Sequence, residues 1–577
     1  MKSGEHMGLP ARRAGSPDGI AATVTSSRFS LLALVLGAAS AWAAPTPVLL
    51  RDDAQRILQE KQEQEREEAL TRPAPKVTEP AAPAADTGLD PSQLEETGPT
   101  FPIRRIVVKG DTILSDEVRE QILAPFAGLD LGAKRIDLLL RRLTAAYIDR
   151  GYLTTRPYVA PQNLASGTLE VTVIPGTVES IQLNGQPLTG PAKDAAPTAP
   201  GDVLRLADIE QTVDQINRLR SQRAQAQVLP GQSPGTSVVS IANQPDKPWR
   251  VSLGTDNYGQ PSTGQGRLRY GFDLDNLLGA WEAISASHIE SRNSHSELFA
   301  LSVPFGYGTL SYAFADSASR SAIGTIAFED TRSRNQTLAW NQVIARDSRG
   351  RTAFDAAFAQ RETWRRVADV DLVPQQQASL RLALSRQQRL SIGSVSAEFG
   401  LTRGLNIMGD DTDLPGLPDS ASHNQFDKID LNLSAILALN DSWAWRGNLL
   451  AQASRVGLPS AEQLFVGGNA TVRGFQEGII AGDRGYVLRN ELQWTGAMPR
   501  SLLAANLRLE PFVFTDSSRT RALADSEAKS LSSVGLGLRL NWTYASLDIA
   551  WARPQAAPDG SNILRQDRVH ANLTLQY

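Results

Sequence analysis

From Trp249 to the C-terminus, apolar and polar residues alternate in runs with a period of two. "RLRYGFDL" (267–274) puts Leu268, Tyr270, Phe272 and Leu274 on one side and Arg267, Arg269, Gly271 and Asp273 on the other. "LNLSAILAL" (431–439) and "LGLRLNW" (536–542) repeat the pattern. The period predicts strands. A soluble sandwich alternates too, but here Arg, Asp, Asn and Gly occupy the polar side at strand centres throughout, which predicts a membrane β-barrel with an apolar exterior and a wet lumen. The last run, "RVHANLTLQY", sets Val569, Ala571, Leu573, Leu575 and Tyr577 on one face and closes on an aromatic residue, as bacterial outer-membrane barrels do for their assembly machinery. At about 20 residues per strand and turn, this part of the chain accommodates roughly sixteen antiparallel strands, wide enough for an aqueous channel. Such a channel leaks unless something blocks it.

Ahead of the barrel the period becomes mixed, and it repeats. "RRIVVKG" (104–110) and "LRRLTAAY" (140–147) are echoed about 75 residues later by "ESIQLNG" (179–185) and "INRLRSQR" (216–223). Ile136, Leu140, Leu143 and Tyr147 recur at helical spacing, then Leu169, Val171 and Val173 alternate; in the second copy Ile209, Val213, Ile216 and Leu219 make the helix. Two small α+β modules are therefore expected, at 100–175 and 176–246, with open sheet edges able to take an added strand. Before them, "LLRDDAQRILQEKQEQEREEAL" (49–70) is rich in helix formers and polar almost all round, so a helix within 44–70 must be solvated, bound to a partner or sitting in a polar cavity. Residues 71–99 read as a Pro/Ala-rich linker.

The N-terminus adds a destination. Arg12, Arg13 and Arg28 precede the apolar run "FSLLALVLGAA" (29–39), and an Ala-x-Ala site follows at Ala41–Ala43, which marks 1–43 as a secretory signal peptide. No other run approaches about 18 apolar residues, so spanning helices are not expected. A net charge of −4 argues against nucleic acid as a partner. The absence of Cys removes thiolate metal sites, disulfides and Cys nucleophiles.

One stretch breaks the alternation: "GGNATVRGFQEGIIAGDRGY" (467–486), rich in glycine and charge. It lacks both the Gly-Lys-Ser/Thr ending of a phosphate loop and the G-x-G-x-x-G spacing of a dinucleotide site. The histidines His6, His288, His295, His423 and His570 form no metal-ligand pair, and there is no G-x-S-x-G nucleophile elbow. "GDDTDLPGLPD" (409–419) offers Asp410, Asp411 and Asp413 to Ca²⁺ but has neither the regular spacing nor the terminal Glu of an EF-hand, so it reads as a solvated loop. No catalytic residue, cofactor or metal is expected.

Taken in order, these elements resemble the TpsB transporters of two-partner secretion, the haemolysin secretion/activation proteins of the ShlB, FhaC and HecB type within the Omp85 superfamily. The most specific match is "LPSAEQLFVGGNATVRGFQEGIIAGDRGYVLRNEL" (458–492), with the family's VRG(F/Y) tetrad as Val472, Arg473, Gly474 and Phe475 and its GDRGY as Gly482, Asp483, Arg484, Gly485 and Tyr486. "VLPGQSPGTS" (228–237), 256–279 and "SVPFGYGTLSYAF" (302–314) support it.

The resemblance implies a polar helix threading the pore, a linker, two periplasmic POTRA modules and a 16-stranded barrel spanning 247–577, whose loop 457–486 folds inward. It also implies that Arg473 pairs with an aspartate on the wall in a Phe-x-Asp-x-Gly pattern, here Phe514 and Asp516, with Ser518 where glycine is usual. The expected function is an outer-membrane pore, not an enzyme, that passes one unfolded exoprotein of haemolysin or adhesin type to the cell surface without nucleotide hydrolysis. Its partners would be that exoprotein, outer-membrane lipid and the barrel assembly machinery, with no nucleic acid. Ile209, Val213 and Ile216 are candidate docking residues for the exoprotein. The rival readings are an Omp85-type insertase that assembles other barrels, and a plugged diffusion pore or ligand receptor.

Overall fold

The computed structural model describes residues 53–78, 88–323, 327–347, 349–407, 409–496, 506–525, 527–557 and 566–577. The expected signal peptide and residues 44–52 lie outside the described residues. Among those described, sixteen long strands form one closed antiparallel barrel, from Trp249–Asp256 to Arg568–Gln576, with a two-residue strand, Val370–Asp371, extending one hairpin. Closure is made by the first strand on the last, from Ser252 opposite Gln576 to Asp256 opposite Asn572. The two backbone bonds between Val251 and Tyr577, at 3.1 and 2.9 Å, finish the seam. Tyr270, Phe272, Leu536, Val569 and Leu575 are exposed on the outer surface, while Arg267, one residue along from Leu268, is buried on the inner one. No helix of the described residues is long and apolar enough to cross a membrane, so the strands do the crossing.

Inside the barrel runs helix α1, Asp53–Thr71. Its one apolar patch, Ala54, Ile57 and Leu58, packs on Ile289, Leu298 and Ala315 of the inner wall. The rest is held by polar contacts that reach strands around the lumen: Glu60 with Arg267 at 2.9 Å, Arg66 with Glu398 at 3.5 Å, Glu67 with Arg446, and the Ala69 carbonyl with Gln387 Nε2 at 2.5 Å. Of the three surroundings open to a polar helix, the polar cavity is the one observed.

Between α1 and the barrel come the two modules. In the first, Arg105–Lys109 runs parallel to Thr168–Ile174, which pairs antiparallel with Arg156–Tyr158. Helices α2 (Asp116–Leu123, capped by Ser115) and α3 (Ala133–Asp149) cover this sheet, and Phe126, Leu139, Leu143, Tyr147, Leu169 and Val171 fill the space between. The second module has the sheet but only one α-helix, α4 (Leu206–Asn217). Where the first has α2, the second has the 3₁₀ turn Gly190–Ala195, since "GPAKDA" opens with Gly and Pro and is too short to propagate.

The linker is more fastened than a free spacer. Val77–Thr78 adds as a parallel strand to Ala224–Pro230, the edge of the second module's sheet. Further on, the Glu96 carboxylate accepts from the backbone N–H groups of Gly132, Lys134 and Arg135 at 3.1, 3.1 and 2.8 Å, supplying the N-terminal cap that Gly132 cannot give α3.

The second module is clamped to the barrel through α4. Arg346, at the end of strand Ala327–Asp347, donates to Glu210 (3.2 Å), Gln211 (3.0 Å) and Asp214 (2.5 Å), and Tyr307 donates to Asp208 at 2.6 Å. The opposite face of α4 holds the expected docking residues, and here the expectation is corrected. Ile209, Val213 and Ile216 are 1%, 0% and 1% exposed, packed with Val178, Val239 and Ile241 in the module's core. Their apolar spacing reports burial, so an incoming chain cannot touch them. Truncating Ile216 to Ala should cost the module about 2–5 kcal/mol. Limited proteolysis of the intact protein should then cut the second module at least about thirtyfold faster, since cleavage follows the open population.

Candidate functional site

The Gly-rich segment between strands Trp443–Ser454 and Arg484–Trp494 turns into the lumen and carries a core of its own. Leu464–Val466 pairs with Ile480–Gly482 as a two-stranded stem. Leu464, Val466, Val472, Phe475 and Ile480 pack together with Val487 and Leu531 of the wall. The glycines answer to close approach. Gly474 sits at φ +91° with Ala552 Cβ only 3.2 Å from where its own Cβ would be, and at Gly467 (φ +112°) a Cβ would lie 2.4 Å from the Gln476 carbonyl oxygen.

Between Val472 and Phe475, both facing that core, the chain projects Arg473 at the wall. Its guanidinium forks onto Asp516, Nε to Oδ2 at 2.7 Å and Nη2 to Oδ1 at 2.9 Å, while Nη1 reaches Glu491 at 3.1 Å. Its backbone N–H also donates to Asp516, at 3.2 Å. The Phe514 ring lies beneath, 3.5 Å from Cζ to the ring centroid. Asp516 is fully buried and Arg473 is 2% exposed, so each charge depends on its partners in place of water.

The wall supplies its groups from adjacent strands by simple register. Arg489 stands opposite Asp516 and Glu491 opposite Phe514, all on the inner face at a spacing of two. Glu491 is held in turn by Arg539, at 2.5 and 3.0 Å, and Arg539 by Asp548 at 3.0 Å. Arg489 donates to the Ala470 carbonyl at 3.1 Å. On the last strand, His570 Nε2 accepts the Gly474 N–H at 2.9 Å.

The structure thus brings together Val472, Arg473, Gly474, Phe475, Phe514 and Asp516. Asp483 and Gly482 lie instead at the root of the loop, where Asp483 accepts from Leu458 N–H (2.8 Å), Gln463 Nε2 (3.1 Å) and Leu523 N–H (2.6 Å). Gly482 passes against the Arg521 backbone, where a Cβ would meet the nitrogen at 2.8 Å. Gly485 follows in the wall strand; Arg484 and Tyr486 on the same strand are exposed and take no part in the lock. Ser518 is buried, with its hydroxyl donating to the Leu531 carbonyl at 3.5 Å, so this position accommodates a side chain.

Sequence reasoning missed Glu491, Arg539 and His570. Glu491 had a signal: "RNE" at 489–491 follows the GDRGY directly, and a period of two puts both charges on Asp516's face. His570 had none, because only the closure of the barrel brings the last strand to the loop. Asp413, the centre of the acidic stretch, spends its carboxylate closing a turn on the N–H groups of Asn424 (2.7 Å) and Gln425 (3.1 Å). Among the described residues no cluster of three potential ligands could hold a metal.

A closed barrel with an apolar exterior, a helix and an arginine-locked loop in its lumen, and two small modules before its first strand defines an outer-membrane barrel with a periplasmic modular arm. The family model for haemolysin secretion/activation protein ShlB/FhaC/HecB matches residues 235–540, and POTRA models match 101–176 (ShlB-type) and 177–230. The chain belongs to this family: it is a TpsB-type outer-membrane transporter of two-partner secretion, in the Omp85 superfamily, with its POTRA modules in the periplasm. It is similar to outer membrane transporter CdiB of Dickeya dadantii (30% identity over 79% of this chain and 83% of the relative). It is also similar to hemolysin transporter protein ShlB of Serratia marcescens (29% identity over 83% and 84%). The solved structure of CdiB from Escherichia coli superposes with a TM-score of 0.81 at 27% identity, over 92% of this chain and all of that one.

Removing the arginine should leave the buried Asp516 without its forked partner, while Glu491 keeps Arg539, an effect of about 3–5 kcal/mol. Arg473→Ala should therefore raise the alkylation rate of a cysteine placed at Val472, which is fully buried, by at least about a hundredfold. Arg473→Lys should restore little, because an ammonium cannot fork onto Asp516 while holding Glu491.

Proposed function

We propose that this protein exports one large exoprotein, of haemolysin or adhesin type, through its barrel as an unfolded chain. The client's N-terminal region adds as a strand to a POTRA edge, and the chain passes outward into the lumen once α1 has moved aside. The arginine lock holds the loop in the position competent for passage. Transport needs no bond cleaved by this chain and no nucleotide, in keeping with a sequence that carries neither a nucleophile motif nor a phosphate loop.

The observation that carries this reading is the pairing of Val77–Thr78 on Ala224–Pro230. This sheet edge already accepts an extended segment in parallel register, held by backbone bonds that any sequence can make. Because that segment belongs to the linker of α1, a client strand taking its place would also pull on the helix that fills the pore.

The first test is deletion of the gene in its own host, with the secreted and outer-membrane proteomes compared. Loss of one large exoprotein from the medium with other barrels intact is the expected result; broad loss of barrels would favour an insertase and overturn the proposal. Arg473→Ala should then lower export by about tenfold or more at unchanged barrel levels. Export at the parental rate would remove the lock from the mechanism.

A further inference from the structure

Where α1, α4 and the first barrel strand meet at the periplasmic mouth, a cavity of about 450 Å³ is lined by Arg72, Arg218, Arg220 and Arg250 with Glu68, and the same four arginines also border the adjoining lumen, where Glu65, Asp214, Asp273 and Asp275 stand. The four cations are unequally compensated. Arg220 pairs with Glu68, its Nε donating at 3.1 Å. Arg218 is held by neutral acceptors, the Ser302 hydroxyl and the Trp281 carbonyl, each at 2.6 Å, and its Nε is buried without a partner. Arg250 has only a loose ion pair, Nε to Asp273 at 3.9 Å, and that buried Nε makes no hydrogen bond. Arg72 makes no side-chain hydrogen bond or ion pair among the described residues.

Opposing charges stand at one remove: Glu65 and Asp214 towards Arg72, and Glu65, Asp275 and Glu282 towards Arg218. They do not compensate. Burial, then Arg72, pushes the Arg218 guanidinium down to about 10, and burial lowers Arg72 in the same direction. An anion entering the cavity would relieve both.

We propose that this cavity binds carboxylate side chains of an unfolded acidic polypeptide arriving from the POTRA modules, and that filling it takes Arg220 from Glu68 and frees the periplasmic end of α1. This inference rests on the export reading above. A polypeptide fits better than a small ion because the four guanidinium groups are spread around a cavity that lies on the way from the second module into the lumen. Glu68 occupies the site in the resting state as the helix's own anion. The site therefore reads acidic sequence as a signal to release the plug.

The intact protein has no cysteine, so Leu70→Cys, a buried position at the end of α1, gives a clean alkylation readout. A short glutamate-rich peptide should accelerate alkylation about fivefold, the effect of losing one half-exposed ion pair. Glu68→Gln should give the same acceleration without peptide. The double variant Arg72→Gln, Arg250→Gln should raise the peptide's half-saturating concentration by about tenfold. An equal response to the glutamine counterpart of the peptide, or no change in the double variant, would overturn the proposal; a full response to inorganic phosphate at equal charge would reduce the cavity to a small-ion site and overturn the polypeptide assignment. If the double variant fails to fold, Glu68→Gln still decides. These titrations use purified protein, so they score the cavity whether or not the gene deletion removes an exoprotein from the medium.

Discussion

A strand in hydrocarbon has no water to satisfy its peptide groups, so the sheet must close, and every other feature of this molecule follows from that closure. The seam between Trp249–Asp256 and Arg568–Gln576 is one of the shorter ladders in the barrel, yet it completes the ring. At its periplasmic end Lys247 lies over the rings of both Trp249 and Tyr577, 4.2 and 3.6 Å from their centroids, so the two chain segments that close the ring share one cation. Sixteen strands closed in this way enclose a lumen too wide for wall side chains to fill. A wide polar lumen can be filled only by polar objects, and the chain supplies two from its own sequence: α1 and the inward loop.

How these two read in the sequence differs for a physical reason. The barrel was legible because lipid imposes a strict alternation, and Leu268, Tyr270 and Phe272 have no other explanation on a strand that also carries Arg267 and Asp273. The helix was legible as a helix but not as to place, since a polar surface fits water and a polar lumen equally well. The motif arginine and its aspartate were named through family resemblance; periodicity alone offered an arginine on a surface hairpin. The docking residues failed because a buried module helix and an exposed binding face present the same apolar spacing. Ile209, Val213 and Ile216 became core once the sheet of their module was placed over them. The linker's strand at Val77–Thr78 was invisible for another reason: a parallel edge strand bonds through backbone, and the sequence need show nothing.

Charge is used in two strengths within the same lumen. Arg473 and Asp516 are buried together, so withdrawal of the loop would break a buried pair, a cost of several kcal/mol, while Glu491 would keep Arg539. The pairs that hold α1, Arg66 with Glu398, Glu67 with Arg446 and Glu68 with Arg220, are part-exposed to the water of the lumen and contribute at most about 1 kcal/mol each. Ala54, Ile57, Leu58 and the Glu60–Arg267 pair, in the N-terminal half of the helix, resist more strongly.

The helix is therefore weakest at its periplasmic end, the end that leads into the linker and the strand on the second module. In the proposed export, a pull or a competing charge arriving from the modules would meet its least resistance there. The loop meets no such gradient. Its root is tied through Asp483 and its tip through Arg473 and Gly474 to Asp516, Glu491 and His570 on separate strands, so it yields at both ends or not at all. In the proposed export, a helix that can leave and a loop that stays would let a chain pass without changing the shape of the wall.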